Sequence, residues 1–146
     1  MRIFECETVD DVKQFFLKIR NMYQQQPGEE HKISFGMLAG HSSWEGIILG
    51  NDSDGTFSEN HIRFMEGYFR TGATFILNSC RTGITNGIGQ KLSGKLGLTV
   101  IAPEEDTYMR DIRVRHDKRA KTLSFEVEYA KKNEQAIYKN GVRITA

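Results

Sequence analysis

Two cysteines, Cys6 and Cys80, are all the thiol chemistry in 146 residues. They could pair with each other, but a chain without an export signal carries such cysteines as reduced thiols. Neither has a second ligand at C-x-x-C or comparable spacing, which argues against zinc. No apolar run approaches the ~18 residues of a membrane span. The opening MRIFECETVDDVK turns acidic too early for a secretory signal. Net charge is also scarce: 20 Lys and Arg stand against 19 Asp and Glu, a balance of +1 that gives no support to a nucleic-acid partner or an anionic membrane. Internal repeats and low-complexity segments are absent. These absences leave one cytoplasmic domain, residues 1–146, long enough to bury a core without metal or disulfide help.

What is present alternates strand and helix. RIFEC predicts a short strand. Thr8 and Asp11 cap a helix in which Val9, Val12, Phe16, Ile19 and Tyr23 recur at helical spacing. KISFGMLAG, 32–40, predicts a strand buried on both faces, and SSWEGIIL a turn and short strand. Ser58 then caps a helix striped by Ile62, Met65 and Phe69, with Gly72 beyond its end. Residues 73–79 predict the next strand, Ile84 to Leu96 a helix stopped by Gly97, and LTVIAP a fourth strand. The charged stretch 104–121 reads as a surface excursion. Leu123, Phe125, Val127 and Tyr129 alternate as a strand with one wet face, and IYKNGVRIT carries the Asn-Gly hairpin signal. The fold class is α/β: a mainly parallel sheet of about six strands sandwiched by helices, with antiparallel β structure at the C-terminus.

TFILNSCRTG, residues 74–83, raises the functional question. Cys80 follows an apolar run directly, either as a small buried hydrophobe or as a nucleophile held at a strand tip. In parallel α/β sheets, ligands and reactive groups gather beyond the carboxyl ends of strands. KISFGMLAG runs into His41 just as ATFILNS runs into Cys80. If those strands are neighbours, one sheet edge presents an imidazole and a thiol, the minimum equipment of a cysteine nucleophile.

An apolar block ending in His (MLAGHSSWEGIILG), a helix, and an apolar block ending in Ser-Cys-x-Thr-Gly (TFILNSCRTG) resemble the caspase-fold cysteine peptidases. That group includes caspases, CHAT domains and toxin autoprocessing domains. The helix GIGQKLSGKLG and the strand LTVIAP extend the likeness, which covers roughly residues 31–103. The resemblance implies a cysteine endopeptidase needing no cofactor and acting on a polypeptide substrate. His41 would be the general base, Cys80 the nucleophile, and the backbone N–H groups of Ser42 and Cys80 the oxyanion donors. It also implies a setting as a toxin or effector module, delivered into a host cell. The family usually has glycine directly after the histidine; here Ser42 stands there, which still offers an N–H. The alternative is a catalytically silent caspase-fold module that binds a partner protein. A third reading, a redox-sensing thiol, needs Cys6 as resolving partner.

Other signals carry less. Trp44 could line a substrate groove or pack across the sheet edge. GQKLSGKL, 89–96, nearly matches a phosphate loop, but Leu96 occupies the hydroxyl position and the spacing is helical. NDSDG opens like a calcium loop, yet Asn60 and His61 fall where the bidentate glutamate belongs. His61 and His116 read as solvated. Arg110, Arg113, Arg115, Lys118 and Arg119 form a basic run; toxin autoprocessing domains bind an inositol phosphate through basic residues, but nothing in the sequence sets this run opposite a phosphate.

Overall fold

The computed structural model describes residues 2–43, 46–50, 55–131 and 135–144. Helix α1, Val9–Tyr23, begins on a reciprocal cap: the Asp11 N–H donates to Thr8 Oγ1 and the Thr8 N–H to the Asp11 carboxylate. Five strands form the main sheet: β1 (Ile33–Ala39), β5 (Phe69–Asn78), β6 (Thr99–Pro103), β9 (Gln135–Lys139) and β10 (Val142–Ile144), in that spatial order. β1, β5 and β6 are mutually parallel, β9 runs antiparallel to β6, and β10 runs antiparallel to β9. β2 (His41–Ser43), β3 (Gly46–Ile48) and β4 (Thr56–Ser58) make a small separate sheet, and β7 (Met109–Asp117) with β8 (Thr122–Tyr129) an antiparallel ribbon. Helix α2 spans Ile88–Leu96. The chain is therefore α/β with a mixed sheet. Among the described residues no helix is long and apolar enough to cross a membrane.

The period of two along a strand divides the core between the faces of the sheet. Ala73, Phe75 and Leu77 of β5 and Val100 and Ala102 of β6 meet α1, α2, Ile47, Phe57 and the 3-10 turn Glu59–Met65. Ile76 and Ile101 point the other way, onto Ile112, Phe125, Val127 and Tyr129 of the ribbon.

Several expectations are corrected. Among the described residues the main sheet has five strands against about six expected, and α1, α2 and the turn Glu59–Met65 pack on one face while the β7–β8 ribbon covers the other. RIFEC forms no strand: Phe4 stacks on Phe15 and the Arg2 guanidinium donates to the Tyr23 hydroxyl, so the segment follows α1. Among the described residues no strand lies on the outer side of β1, so it is an edge, and none of its residues is buried, contrary to the expected burial on both faces. Phe69 and Gly72 belong to β5, not to the end of a helix. Gly72, at φ 75°, sits where the β1–β5 register shifts, a bulge that glycine permits. The charged excursion contains β7, because Ile112 and Val114 alternate with its charges and pair with Val127 and Phe125. His61 is half-buried near Phe57 and Phe64, and its Nδ1 accepts the Ser58 N–H. The C-terminal hairpin is as predicted, with Asn140 and Gly141 both at positive φ.

Candidate functional site

β1 and β5 are neighbours, in parallel register from Phe35 opposite Thr74 to Ala39 opposite Asn78. The Gly40 N–H continues the ladder by donating to the Asn78 carbonyl at 3.3 Å. His41 and Cys80 each follow two residues after that last register pair. Beyond it the chains separate. The first turns into β2, where a Cβ on Gly40 would lie 2.5 Å from the Ile48 carbonyl oxygen; glycine allows that approach.

The second chain enters a turn that explains the Ser-Cys-x-Thr-Gly pattern. The buried Thr82 hydroxyl donates to the Ser79 carbonyl at 2.7 Å. Gly83 presses against β6: its N–H donates to Pro103 O at 2.7 Å, and a Cβ there would collide with the Ala102 carbonyl oxygen. The Tyr138 hydroxyl donates to Gly83 O at 2.8 Å. Arg81, between Cys80 and Thr82, is held at φ 55°, a conformation costly for a residue with a Cβ. The Ser79 hydroxyl is buried and has no hydrogen-bond partner among the described residues.

Cys80 is half-buried, and its S–H donates to the Thr107 carbonyl at 3.4 Å. The segment 104–108, between β6 and β7, lies against it. The Arg81 N–H donates to Glu105 O, and the Arg81 guanidinium grips Asp106 through Nε and Nη2, both at 3.0 Å. Residues at the end of the ribbon also hold this segment, Lys131 N–H to Thr107 Oγ1 and Ala130 N–H to Tyr108 O, and just beyond it the Met109 N–H donates to Asn78 Oδ1 of β5.

His41 is exposed, and no hydrogen bond joins it to Cys80 among the described residues. Ser42 lies opposite Ile47 on the open edge of the small sheet. The Leu49 N–H donates to Gly55 O, on the β4 side, and N–H groups alternate sides along a strand, so Ile47 also addresses β4. The Ser42–Ile47 pair is then a non-hydrogen-bonded one, and the Ser42 N–H is turned away from β3. Trp44 lies outside the described residues.

Cys6 and Cys80 are both free thiols. Cys6 packs against the helix-side core, and burial, helped by the nearby Asp11 carboxylate, pushes its pKa up. The near-phosphate-loop residues 89–96 lie within helix α2. The stretch 51–54 of the calcium-like loop is outside the described residues. The basic run lies on β7 and the ribbon turn; Arg113 pairs with Asp111 and Arg115 with Glu126. His116 is exposed, as expected.

Sequence reasoning missed Asn78, Arg81, Asp106 and Thr107. An available signal was the acidic Glu-Glu-Asp directly after the fourth strand, one strand away from an arginine that follows Cys80. No family model, curated protein or solved structure matches the chain.

Proposed function

We propose that the chain is a cysteine endopeptidase with a caspase-like arrangement of its parallel strands. The observation that carries this reading is the common register of β1 and β5, which presents His41 and Cys80 from adjacent strand ends. In the proposed reaction the Cys80 S–H leaves the Thr107 carbonyl, His41 takes its proton, and the sulfur attacks the scissile carbonyl. His41 returns the proton to the departing amine, leaving a thioester that water hydrolyses. The Ser42 N–H, free of β3, and the Cys80 N–H receive the oxyanion. No cofactor enters these steps. Two free thiols suit a reducing cytoplasm, including that of a host cell if the domain acts as an effector.

A second reading, a silent module that binds a partner protein, is favoured by one contact: the thiol addresses Thr107 and not His41. Alkylation near neutral pH with limiting reagent separates the two. The peptidase reading expects Cys80 to label well before Cys6, whose proton burial retains. His41→Ala should abolish the preference while the domain stays folded, and Ser42→Gly should leave labelling unchanged but alter peptide cleavage. Equal labelling of the two cysteines, or indifference of Cys80 to His41→Ala, would favour the silent module.

A further inference from the structure

Asp106 is two elements removed from the proposed nucleophile, yet its contacts lead there. Arg81 holds a backbone conformation that residues with a Cβ adopt only when their surroundings over-determine it. The determinants are visible: its N–H is bound by Glu105 O, and its guanidinium is gripped at two points by Asp106. The bidentate geometry fixes orientation as well as distance. The neighbouring residues on both sides complete the arrangement, because Thr107, next to Asp106, takes the S–H of Cys80, next to Arg81. The segment is tied independently to the end of the ribbon through Lys131 and Ala130, and just beyond it the Met109 N–H donates to Asn78 of β5.

We infer that Asp106 is a positioning residue that acts on Cys80 through Arg81, clasping the segment 104–107 over the thiol and keeping its hydrogen on the Thr107 carbonyl. The inference rests on the proposed role of Cys80 for its functional meaning, but the clasp itself is a property of thiol access. Opening it frees the sulfur for a base and a substrate. Both partners of the ion pair are more than half exposed, so the clasp is weak enough to open and sensitive to salt.

The test reads the alkylation rate of Cys80 near neutral pH, with Cys6 as internal control, in the full chain. Asp106→Asn should raise the Cys80 rate about threefold, the order set by one exposed ion pair, and leave Cys6 unchanged. Asp106→Glu, which can still grip the guanidinium, should return the rate toward wild type. Added salt should raise the Cys80 rate in wild type and have little effect in Asp106→Asn, a difference that a merely structural carboxylate would not produce. An unchanged Cys80 rate in Asp106→Asn overturns the clasp, as does a parallel rise of Cys6, which would signal general loosening. The same comparison in the His41→Ala background separates the two ideas. The clasp predicts that the Asn/Asp ratio persists there even if the histidine proves irrelevant to Cys80, and failure of the clasp leaves the histidine effect to be judged separately.

Discussion

Phe125 of β8 stacks on Phe35 of β1, with ring centroids 4.4 Å apart and planes inclined by 16°. The pair joins the ribbon to an edge strand of the sheet, on the face where helices were expected. Nearer the carboxyl edge, Asn78 and Leu77 of β5 make the matching attachments, to Met109 N–H and the Tyr129 hydroxyl. The ribbon that covers this face therefore also carries the segment lying against Cys80.

Phe125→Ala should loosen the ribbon selectively. Offset-stacked rings add about 0.5–1.5 kcal/mol beyond their area burial, and a partly exposed phenylalanine loses less on truncation than the ~3–5 kcal/mol of a buried one. Amide hydrogen exchange should accelerate along β7 and β8 while β5 and β6 keep their protection. A uniform acceleration across both sheets would mean that the ribbon and main sheet unfold as one unit, and that this stack has no local role.

Leu92→Ala tests the helix that follows the candidate nucleophile. Leu92 is 0% exposed and faces the sheet with Ile88, while Lys91 and Lys95 bridge outward to Glu59. Truncation should cost on the order of 2–5 kcal/mol in chemical denaturation, the usual loss for a buried leucine. A cost below ~0.5 kcal/mol, typical of surface substitutions, is incompatible with this packing.

The parts that were legible in the sequence are those whose signals are local. The Thr8–Asp11 cap, the Asn140–Gly141 turn, and the apolar strands before His41 and Cys80 each announce themselves within about ten residues. The juxtaposition of those two strand ends was inferable because parallel strands collect reactive groups at one edge. The rest depends on partners distant in sequence. Nothing in RIFEC reveals that Phe4 will find Phe15 instead of a strand beside β1. Ile112 and Val114 are diluted by flanking charges, and become a recognisable strand only opposite Val127 and Phe125. Thr107 reaches Cys80 through its backbone carbonyl, an atom that every residue carries, so residue type could not mark it.

His61 gives a pH dependence whose sign can be worked out. Its Nδ1 accepts the Ser58 N–H at 3.0 Å and lies 3.2 Å from Ser58 Oγ, closing a capping box at the head of the 3-10 turn Glu59–Met65. An imidazolium has no lone pair at Nδ1, so protonation breaks the cap. Burial first, and then the charge of Arg63, push the histidine's pKa below its ordinary value. The unfolded chain consequently takes up this proton at higher pH than the folded one, and stability rises with pH across the interval between the two values. The contribution is fully present above the ordinary histidine value of about 6.5, and is lost as pH falls through the lower folded value. His61→Gln supplies the test, because glutamine at the third position of a capping box can accept the same N–H without titrating. Denaturation midpoints measured across the acid range should fall more steeply in wild type than in His61→Gln, the difference vanishing above neutrality. Taking the difference removes the other three histidines, which are common to both proteins. Parallel curves would show that His61 keeps its neutral form, or loses its cap without cost, and that the Ser58 contact does not anchor this turn.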